Sequence, residues 1–249
     1  MTCVKASLAY TVQIYCDFAG YSFMAVGIAK MLGFNLINNF ERPYFAASVT
    51  EFWKRWHISL TRWLTTHVYI NLGGNRCSKI RQYFNILITF LVSGLWHGAN
   101  WTFVLWGVLH GFFQIVEKSL MGDMLKKEFK EKNIRLTTIR CVRIIITFCL
   151  VSFAWIFFRM PTIGEAFDII IRMFSNVGGR VESPMYSYIV YTAILGLFGS
   201  EFMKEYWPSK FSLIKGKSTV LRWTAYLLLF VCIILYGVLD SGSFIYVSF

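Results

Sequence analysis

The chain alternates long, nearly uncharged stretches with short basic ones. Apolar spans run over 6–29, 82–116, 144–158, 183–200 and 223–239. A helical membrane crossing needs about 20 such residues, with a range of roughly 17–25, so the pattern predicts an all-α polytopic membrane protein. The span 223–239, WTAYLLLFVCIILYGVL, is the cleanest. The span 144–158 is short, and Arg143 and Arg159 can reach outward from its ends to complete it. The 35 residues of 82–116 are few for two crossings and read as two tilted or broken helices meeting near mid-membrane. No repeat, low-complexity tract or soluble domain interrupts the pattern. The expectation is one membrane domain over 1–249, with an active-site segment in 1–116 and later spans with an aromatic tail in 117–249.

The longest uncharged run carries an imidazole near its centre. In Gly94-Leu95-Trp96-His97-Gly98-Ala99-Asn100, His97 lies far from any charged flank. Such a group is costly in lipid, faces protein or water, and is a functional-site candidate by default. The glycines and the Asn break the helical pattern, which in a membrane points to backbone that lines a cavity.

Composition sharpens this picture. Charged residues are 15% of the chain, against about 25% in soluble domains. The net charge of +12 does not point to nucleic acid, because the basic residues alternate with apolar spans. Segments 30–81, 118–143 and 201–222 hold eight, eight and five basic residues against two, three and two acidic ones. Segment 159–182 is balanced, and 240–249 has no basic residue. Excess Lys and Arg marks the cytoplasmic side, which puts the C-terminus outside. Residues 1–9 lack the basic start and small-residue cleavage pattern of a signal peptide. The six cysteines show no CxxC or Cys/His ligand spacing and predict neither disulfides nor a metal site.

Three further features bear chemistry. Ser48-Val49-Thr50-Glu51 has the form of a capping box and marks a helix start. Beyond it, Phe52, Trp56, Leu60 and Trp63 form one stripe and Arg55 with Arg62 another, as in an interfacial helix. His57 lies on the border between the two. Asp17 sits inside the first span, where a central carboxylate costs roughly 2.5–3.5 kcal/mol on insertion scales. It is expected to face the bundle interior, as a helix-positioning or a catalytic group. The Gly73-Gly74 pair reads as a tight turn, and His110 as a satisfied interior histidine.

The segments QIYCDFAGYS, TEFWKRWHISLTRWL with YINLGGN, and GLWHGANWTFVLWGVLHG together resemble the membrane-bound O-acyltransferase family, in its bacterial alginate O-acetylase branch. The match is nearly continuous over 8–116 and looser beyond. The resemblance implies a helical bundle of that family, with His97 as the catalytic residue and His57 as the second active-site position. It also implies that several further spans belong before residue 1, so that the chain is the C-terminal portion of the fold. The ending Phe244-Ile245-Tyr246-Val247-Ser248-Phe249 resembles the branch's aromatic tail, which makes Tyr246 an acyl-carrier candidate. An interfacial aromatic belt is the alternative.

The resemblance also implies a mechanism. A bacterial plasma-membrane O-acetyltransferase would take an acetyl group from a cytoplasmic thioester, acetyl-CoA, with no bound cofactor. His97 would be general base, and His57, Trp96 and Asn100 would orient the thioester or its oxyanion. Asp17 and Arg55 are further supporting candidates. The acetyl group would pass, through Tyr246 or directly, toward an exported polysaccharide with the help of an extracytoplasmic SGNH-type acetyltransferase. A transporter or flippase would share the broken helices, but no duplicated half is visible. A haem-handling protein could use His57 and His97 as axial ligands in a Trp-rich pocket.

Overall fold

A computed structural model describes residues 2–128, 137–175, 184–207 and 218–236. No strand occurs among the described residues. The α-helices among them are α1 (Thr2–Met31), α2 (Val49–Arg55), α3 (Ile58–Leu64), α4 (Lys79–His97), α5 (Trp101–Glu128), α6 (Thr138–Arg159), α7 (Ile163–Phe174), α8 (Pro184–Tyr206) and α9 (Thr219–Tyr236). The chain forms two compact units, Met1–Ser183 and Pro184–Ser248. The second holds α8 and α9, and the first holds α1 to α7 with both candidate histidines.

Among the described residues, Cys3–Met31 and Thr138–Arg159 are long and apolar enough to cross a membrane, and Arg222–Leu235 is a shorter apolar helix. The run around His97 is two helices that meet beside it, as the sequence suggests, but each is longer than its charge-free part. It is a hairpin of two full helices of 19 and 28 residues, about 28 and 42 Å long at 1.5 Å per residue. Charge-free length underestimated both, because α4 starts at Lys79 and α5 continues past Glu117 and Lys118.

Local signals place several helix starts. The side-chain oxygens of Ser78, Thr137 and Thr162 accept from the backbone N–H three residues on, capping α4, α6 and α7. Ser48 does the same for α2, accepting from the Glu51 N–H at 2.9 Å. Glu51 completes the motif one residue early, accepting from the Ala47 N–H at 2.8 Å.

The core of the first unit is aromatic. Phe52, Trp56, Trp106 and Trp155 are all but inaccessible, and their rings meet in stacked and tilted pairs at 5–6 Å. Such pairs contribute about 0.5–1.5 kcal/mol each beyond area burial. This packing corrects two expectations. The stretch from Phe52 to Trp63 is not one helix but two, broken at Trp56–His57, with Phe52, Trp56 and Leu60 of the stripe buried and Trp63 exposed beside Arg62. Arg143 does not reach outward either. It is buried, and its Nε donates to the Ala47 carbonyl at 3.1 Å.

Candidate active site

His97 closes α4, and glycines decide where. A Cβ on Gly94 would strike the Phe103 carbonyl, and one on Gly107 the Phe90 carbonyl. The α4 and α5 backbones therefore touch, the arrangement that small residues permit between membrane helices. At the turn, a Cβ on Gly98 would lie 2.8 Å from the Phe103 ring. His97 is thereby held in an aromatic bed and is 7% exposed. Its ring meets Trp106 at 5.2 Å, Phe158 at 5.0 Å and Trp96 at 4.9 Å, all nearly edge-on.

His57 arrives from the break between α2 and α3. Its backbone is left-handed, φ 43° and ψ 54°, a conformation that costs a non-glycine residue about 1–3 kcal/mol and clusters at functional sites. The ring packs edge-on to Phe18 at 4.7 Å and to Trp96 at 6.1 Å. Its Nδ1 lies 3.4 Å from the Ser59 hydroxyl. Trp96 thus touches both histidines, which the sequence separates by 40 residues.

The other expected residues have separate places. Asp17 is half-buried on α1 beside Phe18, the residue that packs on His57. Arg55 pairs with Glu51 at 2.6 Å and donates to the Arg42 carbonyl at 3.3 Å, so it braces α2. Asn100 donates to the Pro161 carbonyl at 2.8 Å and accepts from the Thr102 N–H at 3.1 Å, so its amide spans the α4–α5 and α6–α7 turns. Tyr246 lies outside the described residues.

A cavity of about 840 Å³ opens beside this cluster, within the 300–1,000 Å³ usual for ligand sites. Lys54, Lys79 and Lys118 line it with Asn75, Gln82 and Gln114. Partial burial pulls the Lys54 ammonium below its ordinary pKa, and nearby Glu51 pulls it back up. Trp53, Phe90 and Ser93 also stand in the wall. Neither histidine lines the cavity, but Ser93 is one helical turn before His97.

A sequence model of the membrane-bound O-acyltransferase family matches residues 1–159. The chain belongs to this family. Its relatives include the "Probable alginate O-acetylase" of Azotobacter vinelandii, 46% identical over 169 residues, which are 68% of this chain and 32% of that protein. The protein of the same name from Pseudomonas aeruginosa is 43% identical over 68% of this chain and 31% of its own. The peptidoglycan O-acetyltransferase of Helicobacter pylori is 40% identical over 67% and 30%. The chain thus spans about a third of the length of the curated relatives it matches.

Within this family chain, sequence reasoning missed Trp53 and half of His110. His110 is fully buried and accepts the Trp53 indole N–H at Nδ1, 3.2 Å away, while its Nε2 has no hydrogen-bond partner among the described residues. The heptapeptide spacing from Phe103 to His110 and the helical spacing of Trp106 and His110 put the last two on one face of α5, a signal that was available.

Proposed function

We propose that this chain carries the catalytic centre of a membrane-embedded O-acyltransferase that moves an acetyl group from a cytoplasmic thioester toward an exported polysaccharide. The observation that supports it is the meeting of His57 and His97 on Trp96 in an aromatic bed beside a lysine-lined cavity. The relatives named alginate O-acetylase and peptidoglycan O-acetyltransferase supply the reaction class.

In this reading the acetyl donor enters from the cavity side. All three cavity lysines come from segments whose Lys/Arg excess favours the cytoplasm. His97 takes the proton from the attacking hydroxyl as the oxygen bonds to the thioester carbonyl. The C–S bond then breaks, and the proton passes from His97 to the leaving thiolate. Well-placed proton transfer of this kind contributes typically about 10²–10⁴-fold. His57 donates to the developing oxyanion, a role that gains strength in a site from which water is excluded. The acceptor reached from the outer face is either the glycan hydroxyl or the phenol of Tyr246. In the second case a separate extracytoplasmic transferase completes delivery.

The test is His97→Ala in the full-length membrane protein, with acetyl-ester formation measured from labelled acetyl-CoA. A loss of about 10²-fold or more is expected, with His57→Ala also impaired. Near-normal acetylation by His97→Ala removes that histidine from the mechanism. For the relay, peptide mapping should find an acetyl ester on Tyr246, and full activity of Tyr246→Phe without such an ester ends it.

A further inference from the structure

His57 occupies the N-cap position of α3, yet its side chain makes no capping bond. A helix start leaves N–H groups that a capping side chain ordinarily accepts. In α3 those groups are answered from outside the helix. The Ile58 N–H donates to the Asn39 backbone carbonyl at 3.1 Å, and the Ser59 N–H donates to the Asn39 side-chain oxygen at 2.9 Å. One residue, 18 positions earlier than His57, thus takes both of the first two amides of α3.

The surroundings hold Asn39 in place. Its neighbour Phe40 is 3% exposed and packs edge-on to Trp56 at 5.0 Å and to Phe18 at 4.9 Å. Phe18 in turn carries the His57 ring at 4.7 Å. Next along the chain, the Glu41 N–H donates to the Arg55 carbonyl at 2.9 Å, which fixes the loop to the end of α2. The loop is therefore tied to both sides of the break at which His57 turns left-handed.

We propose that Asn39 is the positioning residue for His57. By capping α3 in its place, Asn39 leaves the His57 imidazole without a capping duty and fixes the left-handed turn that carries the ring onto Trp96 beside His97. The assignment rests on the acyl-transfer reading of the two histidines for its effect on rate. Its structural content, who caps α3 and what that does to His57, does not depend on that reading.

The chemistry separates the variants to be made in the full-length protein. Asn39→Asp keeps a side-chain oxygen to accept the Ser59 N–H, and a carboxylate is well suited to a helix start. Asn39→Leu keeps the volume and removes the acceptor, and Asn39→Ala removes it with less steric demand. Two readouts apply. The first is the rate at which diethyl pyrocarbonate modifies each histidine, followed by peptide mass spectrometry with exposed His67 as internal reference. The second is kcat and KM for acetyl transfer from acetyl-CoA.

For Asn39→Leu, the expected result is His57 modification faster by about fivefold, the scale of a lost cap, with His97 and His67 unchanged. The kcat should fall by about 10- to 100-fold, the scale of a small misplacement in an active site, with KM for acetyl-CoA nearly unchanged. Asn39→Asp should restore both. If Asn39→Leu yields no folded protein, Asn39→Ala carries the same comparison. Failure of both acceptor-free variants to fold where Asn39→Asp folds and keeps wild-type His57 labelling and kcat would support the cap. Wild-type labelling and kcat in Asn39→Leu or Asn39→Ala would overturn the proposal, as would an equal loss in Asn39→Asp. Absence of acetyl transfer by the wild-type protein would instead count against the proposed function, and the labelling comparison would still decide the role of Asn39.

Discussion

The Trp53 indole N–H donates to His110 Nδ1 across 3.2 Å, joining the wall of the lysine-lined cavity to the bed of His97. Trp53 lines the cavity, and Trp106 lies 5.1 Å from the His110 ring and 5.2 Å from the His97 ring. Replacing His110 by Phe keeps a flat ring but leaves the Trp53 N–H buried and unpaired, at a cost of about 1–3 kcal/mol. The melting temperature in detergent should fall by several degrees, and KM for the donor should rise as Trp53 shifts. The double variant His110→Phe/Trp53→Phe should melt higher than the sum of the single losses, because no N–H is then stranded. Strict additivity in this cycle would show that the bond carries no coupling.

Glycine substitutions should divide sharply by position. Gly94→Ala and Gly107→Ala each drive a methyl into a facing carbonyl, and overpacking of this kind costs about 1–3 kcal/mol or more. Both should lower expression and thermal stability and, by parting α4 from α5 near His97, lower activity. Gly27→Ala meets nothing within 4 Å and removes a poor helix former from α1, so it should be neutral or stabilising. Thermal unfolding of the three purified proteins checks the contrast.

The buried His97, the chain break beside it and the capping box at Ser48 are local features, and each is legible in the sequence from neighbouring residues. The lengths of α4 and α5 are not, because a charge-free run measures where charges begin, and these helices carry Lys79, Arg81, Glu117 and Lys118 within them. The break at His57 is hidden because residues 52–63 have an unbroken helical periodicity. The acceptors that hold it open come from Asn39. Arg143 turns inward for a similar reason: its acceptor, the Ala47 carbonyl, lies 96 residues away. The cavity draws its lysines from α2, α4 and α5, so only the packed chain assembles it.

Glu51 is the electrostatic anchor of α2. Its Oε1 meets Arg55 at 2.6 Å and Arg140 at 3.0 Å, and its Oε2 accepts the Ala47 N–H. All three charged side chains are only about a tenth exposed. Removing one partner of a buried ion pair costs about 3–5 kcal/mol, since the other charge stays uncompensated. Glu51→Gln should therefore unfold at markedly lower temperature, and Glu51→Gln/Arg140→Met should recover part of the loss. An unchanged melting temperature for Glu51→Gln would mean that the network is solvated in the working protein.

The cavity lysines should act on donor binding rather than on the chemical step. A thioester donor such as acetyl-CoA carries phosphates, and a cleft lined by charges of one sign concentrates ligands of the other, with an effect that salt weakens. Lys54→Gln, Lys79→Gln and Lys118→Gln should each raise KM for acetyl-CoA several-fold, leave kcat nearly unchanged and flatten the dependence of KM on ionic strength. Lys54 has a further signature. Its pKa is lowered by partial burial, so it loses its charge at a lower pH than an ordinary lysine. In the wild-type protein KM should begin to climb on the alkaline side before the usual lysine range, and Lys54→Gln should remove that early limb. A fall in kcat with KM unchanged in all three variants would move these lysines out of the donor path and leave the cavity without its assigned ligand.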